Sequence, residues 1–228
     1  GCGLALVLGV INNLRVEMSQ GALKSNLTLL AIGVALVVVA VILNGIASGK
    51  KAGNAEISKA DQRKGIILAV VAGVVMSFFS SFVMKAMDLK DFANMEPGKV
   101  GPYTAIVVFS LAVLVSHFVF GPIFMKWPFQ GAPVKMSEYF KGNSKTHLVG
   151  MLGGCIWCLG TALSYIAAGK AGASVSYALG QGAPMVAAIW GVFVWKEFKG
   201  SNKTVYNLLG MMFLFFIVGL GMIVAAGM

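Results

Sequence analysis

The stretch SYALGQGAPMVAAIWG, residues 176–191, lies inside an apolar run from Gly172 to Trp195 that is long enough to cross a bilayer. Near its middle it carries a glutamine and a proline. A helix anchored in lipid gains nothing from either residue. The amide of Gln181 needs hydrogen-bond partners, and Pro184 removes a backbone donor and clashes with the preceding turn. Either the segment is not a membrane helix, or the site has a use for both.

Composition removes the first alternative. The chain is 58% hydrophobic, only 11% charged, and contains 29 glycines. Its mean hydropathy is +0.85. A soluble domain of this length would need a far more polar surface. Runs of about 20 apolar residues, enough for the ~30 Å hydrocarbon layer, recur along the chain. This is the composition of an all-α polytopic membrane protein. The net charge of +10 does not indicate nucleic acid, because the 18 basic residues fall almost entirely in short loops between apolar runs. Cys2, Cys155 and Cys158 lie within apolar segments; Cys155 and Cys158 form a CxxC with no other metal ligand beside it, which reads as packing. The chain opens on Gly1 inside an apolar run and shows no signal peptide, as expected of a truncated chain.

The apolar spans are 1–14, 27–48, 65–87, 102–125, 148–168, 172–195 and 205–227, the first short enough for half a helix. Lys and Arg number five, four and three in the loops 49–64, 126–147 and 196–204. The alternate loops 15–25, 85–101 and 169–171 hold two, three and one. Twelve against six places the first set in the cytoplasm and the C-terminus outside.

A weak internal repeat is also present. Gly1-Cys-Gly3 followed by LALVLGV matches Gly180-Gln-Gly182 followed by APMVAAIWGV; Ser25-Asn-Leu-Thr28 leads to Gly33 as Ser201-Asn-Lys-Thr204 leads to Gly210. The pair 1–14/27–48 is then the counterpart of 172–195/205–227, with connecting loops on opposite sides. Units of five helices give this inverted relationship. The expected organisation is 1–48 as the end of a first five-helix repeat (half of its fourth helix, then its fifth), 49–64 as a cytoplasmic linker, and 65–228 as the second repeat. About six and a half helices of a ten-helix, 5+5 inverted-repeat fold are then present.

Polar stripes mark what the spans bury. Tyr177, Gln181, Pro184 and Ala188 share a face, as do Trp157, Thr161, Ser164 and Tyr165; Ser77, Ser80 and Ser81 line another span, and Ser110 and His117 a fourth. Single serines in membrane helices commonly bond their own carbonyls or glue neighbours. A full amide and an indole N–H at membrane depth ask for more, so Gln181 and Trp157 are the first candidates to face a solute. The spacings Gly150/Gly154, Ser176/Gly180 and Ala187/Gly191 predict close helix contacts. All eight acidic residues fall in loops or at span ends. His117 has no carboxylate partner on its own span and reads first as packing, with a proton-linked role as the alternative. No nucleophile–base pair, metal cluster or Walker A sequence supports catalysis, and no cofactor is expected.

At these residues the chain resembles a known group. GGCIWCLG (153–160) and SYALGQGAPMVAAIWGVFVWKEFK (176–199) look like the penultimate helix pair of ureide permeases and bacterial glucose-uptake proteins. The Gly-Gly-x-x-Trp element is similar to that of the L-rhamnose/proton symporter. AGVVMSFFS (72–80) and GPYTAIVVFSLAVLVSHFVFGPIF (101–124) resemble ureide-permease segments in the matching order. All belong to the drug/metabolite transporter superfamily, whose longer members have ten helices in two inverted five-helix repeats. The resemblance implies that Gly1 falls inside the fourth helix. It also implies uptake of a small neutral polar solute, a sugar such as glucose or rhamnose or a ureide-like compound, coupled to H+ or Na+. The chain departs from the ureide-permease pattern around Tyr177. Trp157, Gln181, Tyr177, Thr161, Ser80 and Ser77 are then expected to bind the solute, with Pro184 breaking the helix beside them and His117 as the possible proton carrier. The expected location is the cell membrane. An exporter of the same fold and a non-transporting membrane subunit are the competing readings; a deep carboxylate in a preceding helix would favour the exporter.

Overall fold

In the computed structural model, which describes residues 1–52, 59–129 and 131–228, every apolar run has become a helix. The elements are α1 (Cys2–Gln20), α2 (Leu27–Ala52), α3 (Lys59–Ala86), α4 (Pro102–Lys126), α5 (Met136–Phe140), α6 (Ser144–Ala171), α7 (Ala173–Gly180), α8 (Ala183–Ile189) and α9 (Lys203–Ala226). A five-residue π-helical segment, Trp190–Val194, continues α8. Among the described residues, seven spans are long and apolar enough to cross a membrane, α7, α8 and the π segment together making one of them. The chain is an all-α, multi-pass membrane protein. Of the linker expected at 49–64, residues 53–58 lie outside the described residues, and α2 and α3 take up the rest.

The first span extends beyond residue 14, where hydropathy alone ends it. It runs to Gln20 and stops at Gly21, a left-handed cap with φ 63°. The polar stretch from Arg15 stays helical because its side chains find partners on neighbouring helices. Gln20 Nε2 donates to the carbonyls of Met84 and Met87, and its Oε1 accepts from the Leu89 amide.

Pairings fix the directions. Asn12 bonds the Ser77 carbonyl and Gln20 those of Met84 and Met87, so α1 and α3 run parallel. Tyr177 reaches Ala5 while Ser174 reaches Glu17, so α7 runs antiparallel to α1. The Asn26 amide donates to the Ala226 carbonyl at 2.8 Å, and Gly33 faces Gly219 and Ile223, so α2 and α9 are antiparallel. A Cβ on Gly33 would stand 2.8 Å from the Gly219 carbonyl oxygen, and one on Gly219 2.9 Å from that of Gly33. Both helices begin on an asparagine cap: Asn26 Oδ1 accepts from Thr28 and Leu29, and Asn202 Oδ1 from Val205. By contrast, Gly150, Gly154 and Gly180 face open space, so the Gly150/Gly154 spacing meets no helix among the described residues, and of the Ser176/Gly180 pair only Ser176 meets one, α6. The first two lie in the exposed half of α6, where no described helix covers them.

Burial is graded along the bundle. Helices α1, α2 and α9 are buried at intervals over their whole length. In α4 only Pro102 and Ala105 are buried, in α6 only Tyr165 and Ala168, and in α3 nothing described before Gly73. The buried ends gather with the turns at 21–26, 87–101 and 171–172 and with the end of α9. We refer to this as the sealed end. Elsewhere α4 presents Val108, Leu111, Val115 and Phe118 outward, suited to lipid tails.

The 87–101 turn caps the sealed end. Met87 and Val100 pair as a single bridge, and Phe92 packs on Gly169 of α6. Asp88, buried beneath the turn, accepts from the amides of Glu96 (2.8 Å), Lys90 (3.0 Å) and Asp91 (3.3 Å). Led by the Glu96 amide, these bonds and the Lys90 charge hold the Asp88 carboxyl below its ordinary range against the opposing effect of desolvation.

Two outcomes follow from these contacts. Gly219→Ala should destabilise the protein by about 1–3 kcal/mol, because the added methyl meets a backbone that has no room to yield. Gly210→Ala, where a Cβ meets nothing within 4 Å, should be neutral or mildly stabilising in thermal unfolding in detergent. Because folding lowers the Asp88 pKa, its contribution is complete above the unfolded value of about 4 and disappears as pH falls through the folded one. Amide exchange at Glu96 should therefore be protected at neutral pH and lost in acid, with Asp88→Asn removing that dependence.

Candidate functional site

A backbone that leaves the helical pattern inside a membrane exposes groups that something else must satisfy. The span 173–194 does so twice. Helix α7 ends at Gly180, Gln181 and Gly182 form a turn, and α8 restarts with Pro184 in its first turn, where the missing N–H costs least. Beyond α8 the chain widens into the π segment, in which the Trp195 amide bonds the Trp190 carbonyl five residues back at 3.0 Å. The break divides two environments: Ala173–Ala178 are all buried, whereas no residue of α8 is. Gln181 sits at the boundary, half-buried, and its side chain makes no hydrogen bond among the described residues.

The other expected site residues fall into two groups. Tyr177, Ser77 and Ser80 lie in a closed polar seam between α1, α3 and α7. The Tyr177 hydroxyl donates to the Ala5 carbonyl at 3.0 Å. Ser77 donates to the Val74 carbonyl of its own helix, and Ser80 to Asn13 Oδ1 at 3.4 Å. Asn13, fully buried, donates to the Gly9 carbonyl at 2.8 Å, and Asn12 to the Ser77 carbonyl at 3.2 Å. Asn12 and Asn13 carry a signal in the sequence, since adjacent amides in an apolar run need partners.

Trp157 and Thr161 form the second group, on the open half of α6. The Trp157 side is 52% exposed, and its ring lies 5.9 Å from that of Phe109, which also stacks on Phe79 and meets Tyr165 edge-on. Thr161 Oγ1 donates to the Trp157 carbonyl. The Tyr165 hydroxyl is buried with no partner among the described residues. Ser164 and Ser176 join α6 to α7 at 2.9 Å. His117 stands apart, exposed on α4 with its ring edge-on to Phe118. Cys155 and Cys158 are free, Cys158 lying 3.9 Å from the Ser110 hydroxyl.

One acidic residue at a span end is buried among the helices. Glu17 belongs to a helix, in the last turn of α1, and its side chain is entirely buried. Its Oε1 accepts from the Ser174 amide at 3.0 Å and its Oε2 from the Ser174 hydroxyl at 2.9 Å, so it caps the start of α7. Gly172 precedes that cap with φ 91° and lies against the carboxylate, where a side chain would have neither the conformation nor the space.

Comparison with known proteins adds a family. The sequence profile described as ureide permease matches residues 54–226. Ureide permease 1 of Arabidopsis thaliana is 27% identical over 163 residues, which are 71% of this chain and 42% of that protein. Ureide permeases 2 and 5 of the same plant are 24% and 25% identical over 163 residues, covering 41% and 39% of their lengths. The chain thus spans about two fifths of the curated relatives it matches. No solved structure matches.

The polar seam and the open group should respond differently to truncation. Asn13→Ala strips the Ser80 hydroxyl of its acceptor in a buried setting and should cost about 1–3 kcal/mol of stability. Thr161→Ala removes only a bond within its own helix and should stay within about 0.5 kcal/mol of wild type. Denaturant unfolding in detergent compares the two.

Proposed function

The chain belongs to the ureide permease family, and from that premise we propose that it forms part of a membrane transporter for a small neutral polar solute of the ureide kind. Permease relatives point to transport rather than catalysis. The observation that carries the solute class is the unbonded amide of Gln181 at a broken membrane helix. A primary amide offers a donor and an acceptor side by side, and a ureide presents N–H and C=O groups in the same arrangement. A sugar would meet the same amide with hydroxyls and is the second substrate class. Pro184 keeps the break open next to Gln181. Trp157 offers a half-exposed ring for stacking, and Thr161 lies one turn from it. Tyr177, Ser77 and Ser80 are bonded within the seam and reach a solute only in a second arrangement of the helices. His117 has no partner that draws it to this site.

The 5+5 inverted repeat is part of the same proposal. Its support is the antiparallel α2–α9 pair and the asparagine caps at equivalent places, Asn26 and Asn202. The serines before them, Ser25 and Ser201, both bury a hydroxyl without a partner among the described residues. The division into 1–48, 49–64 and 65–228 follows from that repeat. The positive-inside count puts the sealed end, with the C-terminus, outside and the open end toward the cytoplasm. In this arrangement the path is closed to the outside. Coupling to H+ or Na+ completes the reading, with an exporter of the same fold as the alternative.

Uptake of radiolabelled allantoin, a ureide, and of glucose into vesicles holding the full-length protein tests this. Allantoin should enter, and Gln181→Leu should weaken its apparent affinity by up to about tenfold, equivalent to roughly 0.5–1.5 kcal/mol for one lost hydrogen bond. Thermal stability should be unchanged. Wild-type affinity with lowered stability would make Gln181 an interhelical contact, and no uptake of either solute would favour the non-transporting subunit.

A further inference from the structure

The connection from α4 to α6 takes no part in the site proposed above, yet it holds a cavity. Helix α4 starts in the sealed end at Pro102 and stops at Lys126, and α6 starts at Ser144. Both are membrane spans, so the residues between them lie at the opposite membrane surface. The chain folds back on α4 there, with the Val134 amide donating to the Met125 carbonyl at 2.9 Å. Between the last turns of α4 and this return is a cavity of about 400 Å³. Pro122, Met125, Pro133, Val134 and Met136 supply apolar walls, and Lys126 and Lys135 are the charged groups among its described lining residues.

Two ammonium groups beside apolar walls suit an anion with an apolar body. Lys135 makes no hydrogen bond or ion pair with a described residue, and Lys126 rests over the Trp127 ring, 4.6 Å from its centroid. Glu138, the acidic residue of this stretch, is bonded to Lys141 at 2.6 Å and does not line the cavity. A free phosphate would meet the lysines and leave the walls uncovered. A glycerophospholipid meets both, its phosphate on the ammonium groups and its glycerol and upper acyl chain on the walls. Trp127, Phe129, Tyr139 and Phe140 of the same stretch are exposed, as aromatic rings are at headgroup depth. The count of basic residues places this surface on the cytoplasmic leaflet, whose anionic lipids attract basic segments.

We propose that this cavity binds one anionic glycerophospholipid, its phosphate held between Lys126 and Lys135 and its glycerol and upper acyl chain laid on the walls. The site goes beyond the transport reading and does not depend on it. A lipid seated there ties the return at 133–136 to α4. It thereby steadies the connection between α4 and α6, two helices whose buried residues all lie at their other ends.

Native mass spectrometry of the full-length protein, released from an uncharged detergent, counts bound lipids one at a time. Phosphatidylglycerol should bind about tenfold more tightly than phosphatidylcholine with the same acyl chains. Lys126→Gln and Lys135→Gln should each weaken phosphatidylglycerol about fivefold, and the double variant about 25-fold, with phosphatidylcholine unchanged. All these side chains are exposed, so the variants should unfold at the wild-type temperature. Lys145→Gln, an exposed lysine of the same stretch that does not line the cavity, should leave binding within about twofold of wild type. Glycerol 3-phosphate in excess should not displace the lipid. Equal binding of the two lipids overturns the proposal. So does an equal loss in Lys145→Gln, which would mean diffuse attraction to the whole stretch. Displacement by glycerol 3-phosphate overturns it in favour of a free phosphate.

Discussion

Inside a bilayer no water waits to satisfy a polar group, and the architecture of the sealed end follows from that single requirement. The last turn of α1 carries Glu17 and Gln20, and each is answered by a different neighbour. Glu17 takes the amide and hydroxyl at the start of α7, while Gln20 bonds carbonyls at the end of α3 and an amide of the turn beyond it. Lys24 adds the end of α6. Three helix ends are thereby tied to one short stretch of α1 and its turn. Packing follows the same places: Val16, Met84, Met87, Leu89, Tyr165, Ala168 and Ala173 form one apolar cluster there.

The second cluster has a different basis. Val37, Met212, Phe216 and Ile223 join α2 to α9 along their length, with Leu6 and Val175 extending it to α1 and α7. Between α2 and α9 it is held chiefly by shape, at the Gly33–Gly219 crossing, with the Asn26–Ala226 bond at one end. The two clusters share α1 and α7 as a common border. A molecule built this way pairs α2 with α9 and α1 with α3 along their lengths, while α4 and α6 are buried chiefly at one end.

Much of this was legible in the chain itself. Hydropathy and length locate the seven spans to within a few residues, because membrane thickness leaves little choice. Gln181 and Pro184 announce the break between α7 and α8, since both are costly in an unbroken membrane helix. What sequence could not give is who meets whom. Glu17 sits among Arg15, Ser19 and Gln20 and reads as part of a loop; only its partner 157 residues away makes it a buried carboxylate. Gly150 and Gly154 failed in the opposite sense, because spacing states that a close approach is allowed and not that a helix is there to make it. Tyr177, Ser77 and Ser80 belong to one polar seam, yet nothing along the chain says that Asn12 and Asn13 complete it.

The uneven burial of α6 has a mechanical consequence. Its 28 residues make a rod of roughly 42 Å, fastened near Tyr165 and Ala168 and unsupported toward its start. Such a rod amplifies motion. A tilt of about 10° at the fastened end carries the far end through about 6 Å. Small rearrangements of a few hydrogen bonds at the fastened end are thus enough to swing the far end of α6, with no helix unwinding and no large area of buried surface exchanged.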